Sequence, residues 1–343
     1  MIKRGFQKPT QKAINNRRRF LQIAASFLLV PSAAASMSHE RKRIYRGQGE
    51  FMGAETEISI YCEDESLAMR TIENCFRKAA KLENLFSLHK NDSTIRQFNR
   101  VGYLENPPKT FVHLLRKANS LSVLTDGKFD ITVQPLWDFY HNQFKSSTKS
   151  KPELSSEIIR KTVNLVDYEK LFIEDNFVSF GQQGMAITLN GIAQGYITDE
   201  ITGFLKNEGF KNVLVDMGET FGLGKQKEGK PWQVGIANPN QPWQSFMTVP
   251  LRDCAIATSG GYGTPFDIDG KYHHLFIPRK GISGNFYKSL SVIAPSATVA
   301  DGLSTGLYVT RPERIADIVK QFASITVIVL DQNNRKRVYK SMT

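Results

Sequence analysis

Asp301 and Thr305 stand four residues apart in the run A-D-G-L-S-T-G-L, Ala300–Leu307. On a helix, that spacing sets a carboxylate and a hydroxyl one turn apart on one face. There both can reach a single hard cation. The same pair also suits a capping Asp and a Thr bonded back to the carbonyl four residues earlier. N-G-I-A-Q-G-Y, Asn190–Tyr196, is a glycine-bearing turn from strand to helix. Its N–H groups at a helix start suit phosphate, and its carbonyls suit a cation. An ordinary strand–helix connection has the same composition. T-S-G-G-Y-G, Thr258–Gly263, is small and hydroxylated enough to wrap a flat ring or a phosphate. H-H-L-F-I-P, His273–Pro278, supplies two histidines. One beside a phosphoryl-transfer site can act as base, although a lone His is usually structural. In T-D-G-K-F-D-I-T-V-Q-P-L-W, Thr125–Trp137, a glycine ends a helix and the chain turns at Phe129 and Asp130. Asp130 can accept from the edge of a bound ring or simply bond its own turn. G-x-S-x-G, H-E-x-x-H, C-x-x-C, the P-loop and a G-x-G-x-x-G after a strand are all missing. A dinucleotide bound here is therefore not held by a Rossmann loop.

Positioning these runs requires a mixed set of elements. Glu55–Tyr61 alternates apolar and polar residues, as a half-buried strand does. Asp64 can cap a helix to about Leu85, whose apolar residues recur at steps of three and four. Pro107–Pro108 start another helix with Phe111, Leu114, Leu115, Ala118 and Leu121 inward, and Gly127 ends it. Asn142–Ser156, rich in Lys and Ser, reads as a surface loop. Leu171–Phe180 reads as a hairpin about Asp175–Asn176, and Ala186–Leu189 as a short strand. A helix then runs to about Glu208 and is stopped by Gly209, before a buried strand over Asn212–Asp216. Further strands are expected over Trp232–Ala237, Met247–Thr258 and Ser289–Ala294. Helices are expected from near Thr298 past Leu307 and over Pro312–Phe322, and a hairpin pairs Ile325–Leu330 with Arg335–Tyr339. Strands and helices do not alternate regularly, which argues for an α+β fold rather than a doubly wound sheet.

The formal charge of +12 is concentrated at one end. Residues 1–35 hold Lys3, Arg4, Lys8, Lys12 and Arg17–Arg19 with no acid; without those seven charges the value falls from +12 to +5. That mild excess does not call for nucleic acid. The paired arginines precede an apolar run, Phe20–Val30, about half the ~20 residues a membrane span needs. Small residues with an A-x-A pattern, Ala33 and Ala35, follow. Residues 1–35 thus read as a twin-arginine export signal, cut near Ser36. The expected product is periplasmic, has no stable membrane anchor after cleavage, and comprises one domain over residues 40–343. Cys62, Cys75 and Cys254 lack metal-ligand spacing and read mostly as buried apolar fillers, with at most one disulfide.

In order along the chain, the landmarks are M-G-A-E-T-E-I (Met52–Ile58), S-L-H-K-N-D-S-T-I-R-Q-F-N (Ser87–Asn99), Thr125–Trp137, Asn190–Tyr196, Val213–Gly218, W-Q-V-G-I-A-N-P (Trp232–Pro239), Thr258–Gly263, His274–Pro278 and Ala300–Leu307. Together they resemble the ApbE family of FAD:protein FMN transferases. The resemblance implies a two-lobed α+β fold of antiparallel sheets and packed helices, with an FAD cleft between the lobes. It implies a Mg2+-dependent transfer of FMN from FAD to a Thr or Ser hydroxyl of a partner flavoprotein, with AMP leaving. The partner would belong to an exported or membrane electron-transfer system.

On that resemblance, Met52, His89, Lys128, Phe129, Asp130 and Phe276 line the flavin nucleotide. Thr188, Gln194, Thr258, Ser259 and Gly260 complete its contacts. Asp301, Thr305 and the carbonyl of Gly191 would hold Mg2+, and His274 would help deprotonate the acceptor hydroxyl. The chain departs from the family pattern at four places. Thr188 stands for an Asp, Gln194 for a charged residue, Glu219 and Thr220 follow Gly218 where G-G-D/N is usual, and Ile277 precedes Pro278 where Asp is usual. These departures leave open an FAD carrier with degraded catalysis, or an FAD pyrophosphatase.

Overall fold

The alternation near the start of the domain folds into a hairpin. Strand β1 (Arg43–Phe51) pairs antiparallel with β2 (Ala54–Cys62), and Phe51 stands opposite Ala54. The two residues between them, Met52 and Gly53, both have positive φ (51° and 73°), the geometry of a tight primed turn. The structure is a computed structural model describing residues 43–146, 152 and 154–341. The expected export signal lies outside the described residues.

Eight strands form one sheet in the order β1-β2-β6-β7-β10-β13-β14-β15. The members beyond β2 are β6 (Val213–Asp216), β7 (Thr220–Leu223), β10 (Cys254–Ser259), β13 (Tyr287–Ala294), β14 (Thr326–Asp331) and β15 (Lys336–Lys340). Every pairing is antiparallel. Side chains alternate between the two faces, so each face has its own core. Val213, Val215, Ala257, Val327 and Val329 face the main core of helices. Leu214, Ile256 and Ile328 pack instead against the hairpin of β8 (Trp232–Asn238) and β9 (Gln241–Leu251).

Helices on the main core include α1 (Glu65–Phe86), α6 (Ala193–Asn207) and α7 (Ala297–Tyr308). Asp64 caps α1 by accepting from the Leu67 N–H at 2.9 Å. Ala68, Ile72, Cys75, Ala79 and Leu82 of α1 are buried at the expected three- and four-residue steps. Helices α2 (Thr94–Val101) and α3 (Lys109–Leu124) add residues to the same core, whereas α4 (Gln134–Ser146) and α5 (Ser156–Val163) contribute to a smaller one. A three-stranded sheet of β3 (Tyr103–Glu105), β4 (Leu171–Ile173) and β5 (Phe177–Phe180), in the order β3-β5-β4, also packs on the main core. A loop carries the short pair β11 (Phe276–Ile277) and β12 (Ile282–Ser283), and α8 (Pro312–Val319) precedes β14. The mixed α+β architecture agrees with the sequence reading.

Three local expectations give way. The stretch from Asn142 does not begin as a loop, because α4 runs on to Ser146. Trp137, Tyr140 and Phe144 recur at helical spacing and pack on Phe266, Tyr272 and Phe276 from a distant loop. That contact overrides the polar local composition. Ala186–Leu189 forms no strand and joins no ladder. The Asn99 side chain replaces the missing strand, donating to the Ile187 carbonyl and accepting from its N–H, each at 2.8 Å. Met247–Thr258 is two strands, not one. The chain turns at Asp253, φ 56°, and leaves the hairpin for the main sheet. All three cysteines are free, which removes the disulfide.

Candidate active site

Helices α6 and α7 cross where the two most suggestive motifs meet. Gly195, in the first turn of α6, lies so close to α7 that a Cβ there would sit 2.3 Å from the Ala297 carbonyl oxygen. No side chain larger than hydrogen fits. The close approach lets the Gly195 N–H donate to Asp301 Oδ2 at 2.9 Å. Asp199, one turn further along α6, caps α7. It accepts from the N–H groups of Ala297 (2.7 Å) and Thr298 (2.9 Å) and from the hydroxyls of Ser296 and Thr298 (both 2.6 Å). Asp301 and Thr305 therefore share one face of α7 toward the cleft, held there by α6. Thr305 Oγ1 lies 2.8 Å from the point where a Gly191 Cβ would be, so turn and hydroxyl are in contact.

The glycine-rich run after β10 closes this side. Ser304 donates to the Asp301 carbonyl at 2.9 Å, which leaves it to accept from Ser259 at 2.7 Å. The Tyr308 hydroxyl donates to the Tyr287 carbonyl (2.8 Å) and accepts from the Gly261 N–H (3.0 Å), fixing the turn. Beyond it, His273 and His274 play different parts. His273 is buried, and burial pulls its pKa down. Its Nδ1 accepts from the Leu275 N–H at 3.2 Å and its Nε2 faces Asn285 Oδ1 at 3.2 Å, so it braces the loop. His274 lines the cleft, with Nδ1 3.4 Å from the Thr264 carbonyl. A proton on Nδ1 suits that contact and puts the basic lone pair on Nε2.

One cleft gathers Phe129, Asp130, Thr188, Gly191, Gln194, Thr258, Ser259, Gly260, His274, Asp301 and Thr305. The other four expected residues lie elsewhere. Met52 sits in the β1–β2 turn, its side chain in the core and its N–H on Glu83 Oε1 at 2.8 Å. His89 is exposed after α1, Lys128 pairs with Asp126 at 3.7 Å, and Phe276 is buried against Tyr140. Within the cleft wall, Asp130 bonds its own turn. Oδ1 accepts from the Thr132 N–H and hydroxyl (2.8 and 2.6 Å), and Oδ2 from the Tyr168 N–H (3.2 Å). Burial still raises its pKa to about 6, outweighing those bonds.

Among the described residues, three carboxylates line the cleft, those of Asp130, Glu219 and Asp301, and no lysine or arginine does. Burial raises the Asp301 pKa to about 7; the Gly195 N–H opposes the shift and the Asp199 charge adds to it. Burial also pushes Glu219 well up, with the charges of Asp301 and Asp216 adding to the effect. Glu219 enters the sequence reading only as a departure. No local spacing marks it, because it stands in the turn that follows the strand Val213–Asp216, and only the fold brings that turn to the cleft. Gly218 before it (φ 101°) is needed as glycine, because a Cβ would lie 2.5 Å from Gln194 Nε2. Among the described residues, no trio of His, Cys, Asp or Glu is grouped as a metal site.

The profile of the ApbE family matches residues 52–329. The chain belongs to that family. An FAD:protein FMN transferase of Vibrio cholerae is 30% identical over 311 residues, covering 87% of this chain and 89% of its own length. The Escherichia coli K12 protein of the same name is 25% identical, covering 86% of each. The flavin transferase ApbE from Vibrio cholerae superposes with a TM-score of 0.72 at 25% identity, over 88% of this chain and 97% of that one. The ApbE protein of Thermotoga maritima gives a TM-score of 0.75 at 24% identity, over 87% and 97%, and shows the shared fold. Of the departures from the ApbE pattern, Thr188, Gln194 and Glu219 are in the cleft wall, whereas Ile277 lies beyond it in β11.

Proposed function

We propose that this ApbE-family chain transfers FMN from FAD to a Thr or Ser hydroxyl of a partner flavoprotein, releasing AMP. The composition of the cleft carries the reading. Its charged walls are acidic, and a cation between them and a pyrophosphate would remove the repulsion that ionised Asp301 and Glu219 exert on it. The donors on offer are carboxylate, hydroxyl and carbonyl oxygens, the set a hard divalent ion prefers. Asp301, Thr305 and the Gly191 carbonyl would hold Mg2+, which when bound neutralises phosphate charge and so favours displacement at phosphorus.

The chain's own residues do the rest. The glycine turn at Thr258–Gly261, braced by Tyr308, offers narrow backbone for the nucleotide. His274 takes the proton of the acceptor hydroxyl as its oxygen bonds to the phosphorus on the FMN side. The bond from that phosphorus to the bridging oxygen breaks, and AMP leaves with that oxygen. Residues 1–35 are read as a twin-arginine signal on their paired arginines and short apolar run, which would put the reaction in the periplasm. The acceptor is then an exported or membrane-bound electron-transfer flavoprotein.

The test is to incubate the protein with FAD, Mg2+ and a candidate acceptor, following AMP release and in-gel flavin fluorescence. AMP that depends on the acceptor, together with a fluorescent acceptor band, is expected. Bound FAD with no AMP from any acceptor would favour a flavin carrier, and AMP without labelling a pyrophosphatase.

A further inference from the structure

Glu219 is 7% exposed, and its Oε2 is wholly buried with no hydrogen-bond partner. Buried carboxylate oxygens are almost always satisfied, so this one needs an explanation. Its setting rules out slack geometry. The Glu219 carbonyl accepts from the Thr198 hydroxyl of α6 at 2.9 Å and from the Met217 N–H at 3.2 Å. The β6–β7 turn is thereby fixed against α6. The Thr258 N–H steadies the carboxylate itself. The side chain lies in the wall that also contains Gly191, Asp301 and Thr305, and it feels the Asp301 charge. Two acids are thus built into one wall, and among the described residues lining the cleft there is no lysine or arginine to pair them.

We infer that Glu219 is a further protein ligand of the divalent cation, supplying the second carboxylate beside Asp301. This rests on the cation-dependent reading of the site above. A single carboxylate, one hydroxyl and one carbonyl balance only half of a divalent charge; Glu219 supplies the other half before any nucleotide arrives. The protein should therefore bind the cation without FAD, which a site completed only by substrate phosphates would not do. The idle oxygen is then a ligand held ready, and the carboxylate repulsion is the cost of the cation-free state.

Mn2+ binding to the FAD-free protein, followed by the electron paramagnetic resonance of free Mn2+, tests this. The wild type, Glu219→Gln, Glu219→Asp and Asp301→Asn would be compared, with melting temperature measured with and without Mn2+. The expected result is Mn2+ binding by the wild type, weakened at least tenfold in Glu219→Gln and less in Glu219→Asp. Glu219→Gln should also melt higher than wild type without metal, since one of two competing acids is gone, and should lose most of the Mn2+-induced rise. A merely structural glutamate would give the opposite melting shift. Wild-type affinity in Glu219→Gln, with loss only in Asp301→Asn, would overturn the role of Glu219 and leave the cation site standing. No Mn2+ bound by the wild type without FAD, but binding once FAD is added, would also overturn it. No binding in either state would remove the cation reading altogether.

Discussion

The Gly195 N–H and Asp301 Oδ2 are 2.9 Å apart, which ties the first turn of α6 to the carboxylate of α7. Nothing but glycine permits it, since a Cβ would lie 2.3 Å from the Ala297 carbonyl oxygen and 2.7 Å from Asp301 Cβ. Both obstacles belong to a packed helix, so the helices must part. Gly195→Ala should destabilise the protein by about 1–3 kcal/mol, the usual cost of overpacking. It should also lower FMN transfer by more than the melting shift explains, because Asp301 loses its donor. Denaturant unfolding measured beside the transfer rate checks both.

Asp199 holds the other end of the same arrangement. Its four bonds to Ser296, Ala297 and Thr298 cap α7, and its charge faces the positive helix terminus. Asp199→Ala leaves the Ser296 cap on the Val299 N–H but strips two N–H groups and two hydroxyls of their acceptor. The expected loss is about 2–4 kcal/mol, above a usual cap because several donors are orphaned at once. Asp199→Asn keeps an acceptor and should lose less. Equal unfolding free energies for the two variants would show that the charge, not the hydrogen bonding, is what matters.

The sequence disclosed this arrangement unevenly. Asp301 and Thr305 were legible because helical spacing alone puts them on one face, and Asn190–Tyr196 because glycines mark a turn. Asp199 was not, since a mid-helix Asp looks like any solvated residue until α7 is laid across it. Glu219 was hidden for a related reason: only the sheet order brings the β6–β7 turn beside α7. The same limit explains α4. Its aromatic face has partners more than a hundred residues later, so local polarity spoke for a loop. Met52 and Phe276 entered by resemblance, and no spacing rule says whether such apolar residues face a cleft or the core.

Asp130 sets up a pH dependence whose sign depends on which influence is stronger. Three hydrogen bonds favour its charged form, yet burial prevails and raises the pKa from 3.8 to about 6. The folded state then holds the proton more tightly than the unfolded chain. The resulting stabilisation is complete below pH 3.8 and is lost as the pH rises through about 6. Relative to Asp130→Asn, the wild type should lose up to roughly 3 kcal/mol between pH 4 and 7. Unfolding free energies of both proteins at pH 4.5 and 7.5 give the difference. A wild type that gains over the variant as pH rises would mean the bonds from Thr132 and Tyr168 outrank burial.

His273 and His274 are adjacent, yet substitution should separate them cleanly. His273→Ala strips partners from the Leu275 N–H and from Asn285 in a buried loop, and should cost about 1–3 kcal/mol of stability. Its effect on transfer should follow the fraction folded. His274→Ala removes a half-buried side chain from the cleft wall, so the melting temperature should hardly move. A general base contributes about 10²- to 10⁴-fold, so kcat should fall by that order while FAD affinity is kept. Transfer rates across pH 5–9, with FAD binding measured by fluorescence on the same samples, separate the two residues. A His274→Ala protein that binds FAD weakly but turns over at the wild-type kcat would make His274 a nucleotide contact and leave the acceptor proton to another group.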